Sequence, residues 1–332
     1  MDAPVHDTRK LRVWYLTTGE AGTVQQARGL ATALAPNAEG RLVRVSRLWA
    51  VGIPALVGLG PPAVIPIAGR LEPPWPDVLI SCGRRSGLVA MAVRRRNRAP
   101  MVMAHIQPPT YPKAFDLVVA MAHDELKGSN VIQIDTALHG VRPAVLTSAR
   151  SQSDPRFVGL PRPWTGVLLG GATRHRPFTY DDAMRLADQL DALRSRIGGS
   201  LLVTPSRRTP DHVTAVLGGR YLSDQTVRIW DSGPPNPYLT ILSQSDRLVV
   251  TSDSVSMISE ALATTAPVLV FNLPGSPRHL RFVDNLIAKS LVGPLDGIHA
   301  PPRRAAVDAT PSVVEAVRRL LEVGDPKADW PA

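Results

Sequence analysis

Short apolar runs alternate with longer amphipathic stretches, first over residues 11–134 and again over 167–271, and this pattern limits the fold more than any other feature. The runs Leu11–Leu16, Leu42–Val45, Val78–Ser81, Met101–His105, Leu117–Ala120 and Val131–Ile134 predict strands. Helical periodicity lies between them, over about Thr23–Leu34 and Gly87–Arg96. The second series reads as strands at Val167–Leu169, Leu201–Val203, Val227–Trp230, Leu248–Val250 and Val268–Phe271. Helices over Tyr180–Arg194, from Pro210, at Pro237–Leu242 and within Ser252–Ala263 interleave with them. Strands that alternate with helices form a parallel sheet covered on its faces. Two such series in 332 residues fit two domains. The expected fold class is therefore α/β, two Rossmann-like domains facing a cleft. The polar, three-proline segment Ser151–Trp164 divides them. The expected domains are 1–155, 164–310 and a C-terminal helix and tail, 311–332. That helix, about Ser312–Val323, packs back on the first domain.

Composition narrows the partners. The net charge of +10 suits an anionic surface or a phosphorylated substrate, and aromatics are only 5%. The arginine pairs are scattered, and no recognition helix, zinc-finger spacing or RNA-binding aromatic motif accompanies them, which argues against nucleic acid. A single cysteine, Cys82, rules out an internal disulfide framework and suits a reducing compartment. The N-terminus carries no apolar signal core. The expected location is therefore cytoplasmic, with peripheral contact at the inner membrane face. One segment, Trp49–Ala68, is apolar but broken by four prolines and three glycines, so it does not span a bilayer. It reads as a buried loop, or as an apolar lip that enters the membrane interface beside Arg44, Arg47 and Arg70.

In open α/β sheets, ligands bind at the carboxyl ends of the strands. Four strand ends stand out. Gly19 and Gly22 follow the first strand and form either a structural turn or a ligand loop. Gly170 and Gly171 cradle a phosphate or simply turn the chain into a loop with Arg174, His175 and Arg176. Ser206, Arg207 and Arg208 follow a third strand, and arginine forks match phosphate oxygens. The competing role there is a helix cap by Thr209 before Pro210. Thr251–Ala261 is the densest block. Ser252, Asp253, Ser254 and Ser256 leave amides open at a helix start, and Glu260, two turns on, is placed to accept a ribose diol. Capping explains one or two of these groups. The eight histidines and the lone cysteine form no metal-ligand pattern, so no metal is expected.

Taken in order, these motifs resemble the mitochondrial-fission (elongated mitochondria) family, which includes bacterial members assigned as lipooligosaccharide outer-core glycosyltransferases. The matching pieces are Gly19-x-x-Gly22-x-x-x-Gln26, Ser81–Ser86, Phe115–Val119 leading to His123-Asp124, and Asn130–Ile132. Ser206–Pro210, Asn236-Pro237-Tyr238 and Val250–Ala261 complete the series, and the resemblance spans about residues 11–295. The family is similar in architecture to glycosyltransferase-B enzymes. That resemblance implies a nucleotide-sugar donor, UDP-linked, on the C-terminal domain, held by Asn236 and Tyr238 together with the strand-end residues. It implies no cofactor beyond that donor, and a glycolipid acceptor. Helix N-termini and basic side chains stabilise the leaving diphosphate in place of a metal. The chain departs from the pattern in three places, one of them Asp135–His139, which stands where a glycine-containing version is expected. Thr18 precedes Gly19 where an Asp is expected, and Thr23 or Val24 stands where the peptidoglycan GlcNAc transferase has a histidine. The base is therefore sought among His123 and Asp124 first and His105 second. A non-catalytic adaptor and a nucleotide-sugar 2-epimerase are the alternative functions.

Overall fold

A computed structural model describes residues 11–45, 64–97, 99–172, 177–275, 277–297 and 301–322. The chain divides into two units. The first holds residues 1–134, 138–140 and 309–332, and the second holds 135–137 and 141–308.

The first unit contains strands β1 (Val13–Thr17), β2 (Glu39–Val45), β3 (Val64–Ala68), β4 (Val78–Cys82), β5 (Val102–Ile106), β6 (Leu117–Met121) and β7 (Val131–Ile134). They form one sheet in the order β3-β2-β1-β4-β5-β6-β7, parallel except for the antiparallel edge strand β3. Every residue of β4, β5 and β6 is buried, as expected of central parallel strands covered on both faces. Helix α1 (Ala21–Leu34) turns Ala27, Leu30, Ala31 and Leu34 inward at a spacing of three to four, and α2 (Arg84–Arg96) follows β4. Gly29 of α1 lies against the main chain of His139, where a Cβ would fall 2.6 Å from the carbonyl carbon.

The second unit contains β8 (Trp164–Leu169), β9 (Ser200–Pro205), β10 (Val227–Ile229), β11 (Arg247–Thr251), β12 (Val268–Phe271) and β13 (Gly293–Pro294). All pairings are parallel, in the order β10-β9-β8-β11-β12-β13. Its helices are α3 (Pro143–Ser151), α4 (Tyr180–Ile197), α5 (Asp211–Arg220), α6 (Tyr238–Gln244), α7 (Val255–Leu262) and α8 (Pro277–Ala288). Helix α4 shows how local sequence sets an element. Thr179 and Asp182 form a reciprocal cap at 3.1 Å in each direction, and Gly198, at φ 66°, ends the helix. The strand order reverses direction between β8 and β11, and that switch point is where ligands sit in doubly wound sheets. The last helix, α9 (Thr310–Glu322), packs on α1, β5 and β6 of the first unit, as expected for a terminal helix that returns.

Two boundaries differ from the sequence reading. The chain enters the second unit near residue 141, not after 155. Arg150 of α3 donates Nε and Nη2 to the Ser243 carbonyl at 3.0 and 2.9 Å, and Gln244 Nε2 donates to the Gln152 carbonyl at 2.9 Å. Ser151–Trp164 is part of that unit too: Ser200 Oγ donates to the Pro161 carbonyl at 2.7 Å, and Arg228 Nε to the Arg156 carbonyl at 3.2 Å. The prolines mark a tethered surface segment, not a linker. Of Trp49–Ala68, only 64–68 are described, as β3 with Ile65 and Ile67 half exposed. The rest of that segment and Arg47 lie outside the described residues, as do Arg174, His175 and Arg176.

Candidate functional site

At the β8–β11 switch point three strand-end loops of the second unit are bonded together. Gly170 N donates to Thr251 Oγ1 at 2.8 Å, and Gly171 N to Asp253 Oδ2 at 2.8 Å. Ser206 Oγ and Thr209 Oγ1 both donate to the Gly170 carbonyl, the first at 2.9 Å. Ser206 N donates back to Thr209 Oγ1 at 2.8 Å. Main-chain packing requires Gly171, and Gly170 lies against the Asp253 side chain. A Cβ on Gly171 would lie 2.6 Å from Thr209 N and closer still to the Arg208 carbonyl. One on Gly170 would lie 2.6 Å from Asp253 Cγ. The alternative in which Thr209 caps the next helix does not occur, because α5 has Pro210 at its N-cap and no side-chain cap bond.

Asp253 is the hub of this cluster. Arg208 Nη2 lies 3.8 Å from its Oδ2, with the arginine half exposed, and Arg207 points to solvent. Burial raises the Asp253 carboxyl above its ordinary value, although Thr251, the Gly171 amide and Arg208 all oppose that shift. The other carboxylate oxygen is buried with no hydrogen-bond partner among the described residues. His279 of α8, half-buried, feels the Asp253 charge; burial lowers its pKa and Asp253 pulls the other way. The sequence reading did not include His279. Its signal was Pro277 opening an amphipathic run with Leu280, Phe282, Val283 and Leu286, the pattern of a helix start.

The hydroxyls of the densest block turn inward rather than outward. Ser252 Oγ accepts from Leu273 N at 2.9 Å, and Ser254 Oγ caps α7 by accepting from Met257 N at 3.4 Å. Ser259 Oγ accepts from Ala137 N at 2.8 Å. Glu260 is 2% exposed and accepts from the Tyr238 hydroxyl, so the carboxylate expected to meet a ribose is held inside. Burial and the Glu260 charge together push the Tyr238 phenol well above its usual range. Asn236 Oδ1 accepts from Tyr238 N at 2.9 Å and so fixes the start of α6. Among the block's predicted contacts, Asp253 and Ser256 keep partial exposure.

In the first unit, Gly19 adopts φ 100°, and Thr18 Oγ1 donates to Glu20 Oε2 at 2.6 Å. Gly22 sits in the first turn of α1, where its carbonyl accepts from Gln26 Nε2 at 3.3 Å. No side chain caps that helix. His123 and Asp124 form a short turn after β6, with His123 Nε2 3.5 Å from Asp124 Oδ1 and both side chains about 5% exposed or less. A carboxylate so placed can orient an imidazole. His105, the second candidate, lies inside the sheet of the first unit. It is fully buried in β5, bonded through Nδ1 to Ser81 Oγ at 2.7 Å and stacked 4.7 Å from Phe115. Burial lowers its pKa to about 3, so it stays neutral. Cys82 is also buried, and its thiol is pushed up by burial. No metal-holding group of His, Cys, Asp or Glu occurs among the described residues, and none of their helices is long and apolar enough to cross a membrane.

Two doubly wound, mainly parallel sheets place the chain in the glycosyltransferase-B fold class. Solved structures of that class are similar across nearly the whole chain. A UDP-N-acetylglucosamine 2-epimerase from Rickettsia bellii superposes with TM-score 0.51 at 12% identity, covering 96% of this chain and 99% of its own. The glycotransferase of kitacinnamycin gives TM-score 0.51 at 13% identity, covering 95% and 96%. Residues 21–321 match the model of the mitochondrial fission ELM1 family, and the chain belongs to that family. The mitochondrial fission protein ELM1 of Arabidopsis thaliana is 29% identical over 245 residues, 66% of this chain. The match spans 57% of that plant protein's length.

Proposed function

We propose that this chain is a metal-independent, inverting glycosyltransferase that moves a sugar from a UDP-linked donor to a cell-envelope glycolipid at the cytoplasmic membrane face. The observation that carries the reading is the joining of Gly170-Gly171, Ser206–Thr209 and Thr251–Ser254 at the switch point beside Arg208. Main-chain amides at the start of α7 and the guanidiniums of Arg207 and Arg208 supply positive potential for a diphosphate without a metal. In the reaction, the acceptor hydroxyl oxygen bonds to the anomeric carbon as the bond to the nucleoside diphosphate breaks. The diphosphate leaves with the electron pair, and a base takes the hydroxyl proton. His123, oriented by Asp124, is the base we assign. The net charge of +10 and the half-exposed Ile65 and Ile67 support peripheral contact with an anionic membrane.

The test is a thermal-shift and calorimetric panel of UDP, GDP, CMP and dTDP and their sugars. A ligand at 100 times its Kd stabilises the fold by about 2.7 kcal/mol. Arg208→Gln should weaken the UDP compound about ten-fold while leaving the unfolding curve unchanged. No response to any nucleotide rejects the donor site. The epimerase neighbour supports a second reading, epimerisation of the nucleotide-sugar itself. NMR of protein with donor and no acceptor separates the two, because only epimerisation changes the sugar under those conditions. The plant relative's name and the inward-turned hydroxyls support a third, an adaptor without chemistry. Retention of biological function by Arg208→Gln after nucleotide binding is lost would favour it.

A further inference from the structure

The second unit has another concavity at the opposite end of its sheet from the glycine turns. Its walls come from residues that precede β8, β11 and β12, and all three strands run parallel. The cavity, about 380 Å³, is lined by Arg150, Arg162, Arg303 and Asp246, together with the end of α6 and the 264–266 turn. That volume lies in the range of small-ligand sites.

Three guanidiniums face one carboxylate here. Arg162 Nη1 donates to the Gln244 carbonyl at 3.2 Å and to Asp246 Oδ2 at 2.8 Å, and its guanidinium lies 4.1 Å over the Trp164 ring. Asp246 Oδ2 also accepts from Trp164 N at 2.7 Å. Arg150 is fixed by its two bonds to the Ser243 carbonyl. Among the described residues Arg303 reaches only Asp246 Oδ1, at 3.9 Å, and its side chain is mostly exposed. Next to the cavity, Arg247 is made less basic by burial and by the Arg303 charge, against the pull of Asp246. The plain account is that Arg150 and Arg162 complete the carbonyls at the C-terminus of α6. It accounts for their bonds but not for Arg303, which touches no carbonyl among the described residues. Nor does it offset two surplus positive charges gathered in one hollow.

Guanidiniums already held by carbonyls lose little freedom when an anion arrives, and their planar forks match phosphate oxygens. We propose that this cavity is a binding site for a phosphate-bearing anion, either a free phosphorylated molecule or a phospholipid headgroup. It is separate from the switch-point site and independent of the reading given for that site.

Two arms test it on the full chain at constant ionic strength. One is calorimetric titration with inorganic pyrophosphate. The other is cosedimentation with phosphatidylcholine vesicles containing phosphatidic acid. Arg303→Gln changes an exposed residue and should keep the native circular dichroism and unfolding curve. It should weaken whichever probe binds by about ten-fold. Arg319→Gln, on the surface of α9, should change binding less than two-fold. Saturable binding of pyrophosphate that depends on Arg303 assigns a soluble ligand, and binding to vesicles alone with the same dependence assigns a headgroup. The proposal is overturned if neither probe saturates, or if Arg319→Gln matches Arg303→Gln. It is also overturned if Arg208→Gln removes pyrophosphate binding while Arg303→Gln leaves it intact. Because Arg208 and Arg303 lie at opposite ends of one sheet, the two sites fail separately in these measurements.

Discussion

Gly171→Ala isolates what joins the switch-point loops. The new methyl carbon would lie 2.6 Å from Thr209 N and nearer still to the Arg208 carbonyl. Both are main-chain atoms, so no side-chain rotation relieves the overlap. Either the end of β8 or the Ser206–Thr209 turn must move. A move by the turn strains the Ser206 and Thr209 bonds to the Gly170 carbonyl, and a move by β8 strains the bond from Gly171 N to Asp253. Overpacking costs about 1–3 kcal/mol, and main-chain obstruction places this change at the top of that range. With m near 2 kcal/mol per M, the urea midpoint of the second unit should fall by about 1 M or more. Hydrogen exchange supplies the local readout: a loss of about 2–3 kcal/mol speeds exchange of β8 and β9 amides roughly 30- to 140-fold. Two other glycines calibrate the result. Gly170→Ala meets the Asp253 side chain, which can rotate, so its cost should be smaller, about 1 kcal/mol. Gly218→Ala, in α5 with nothing within 4 Å, should stabilise by about 0.5–1 kcal/mol. If Gly171→Ala unfolds at the wild-type midpoint with unchanged exchange in β8 and β9, the loops are not held by this contact and the reasoning fails.

Asp253→Asn should change the pH dependence of stability. The folded carboxyl is raised by burial, so its stabilising contribution is complete below the ordinary carboxylate value and is lost as pH rises through the folded value. The variant should therefore gain on the wild type as pH rises from 4 to 8; a pH-independent difference in urea midpoints contradicts this. Tyr238→Phe removes the hydroxyl that donates to buried Glu260 and should cost about 1–3 kcal/mol, partly recovered when Glu260→Gln is added. Strict additivity in that double-mutant cycle refutes the coupling. Asp116, whose side chain is 1% exposed, accepts from Arg94 Nη1 and Met103 N, each at 2.7 Å. Asp116→Ala should cost about 3–5 kcal/mol in chemical denaturation, and a loss under 1 kcal/mol would mean the pair is not a tie between α2 and β5.

Most strands of both sheets were legible because buried parallel strands are nearly continuous apolar runs, and β4, β5, β6 and β9 show no alternation to confuse them; the edge strand β3, inside a segment read as a loop, and the two-residue β13 were not. The domain boundary was not. Prolines at 155, 161 and 163 have the composition of a linker, but composition does not show that the main-chain carbonyls of Arg156 and Pro161 are taken by Arg228 and Ser200. The crossing lies earlier, where the sequence offers no break in composition between Ile134 and Val141. Helix α8 and His279 were missed for a related reason: a short amphipathic run after the last clear strand carries a weak signal on its own.

The candidate site shows where a residue-type argument stops. A strand end rich in serine, threonine and acid predicts many donors and acceptors, and that much is present between Thr251 and Glu260. The direction of each group is decided elsewhere, by which neighbouring main-chain atoms need partners. The turn at Gly170-Gly171 has two amides to satisfy, and Thr251 and Asp253 take them. The Leu273 and Ala137 amides are taken by Ser252 and Ser259. Buried amides need partners more than solvated hydroxyls need ligands, because an orphaned buried amide costs about 1–3 kcal/mol. The polar block therefore acts first as a fastening between loops. Under the proposed donor-site reading, the groups left for a ligand are the opening amides of α7, Ser256, Arg207 and Arg208. Asp253 joins the two roles, since it holds the glycine turn in place and stands across from the arginine that a diphosphate would recruit.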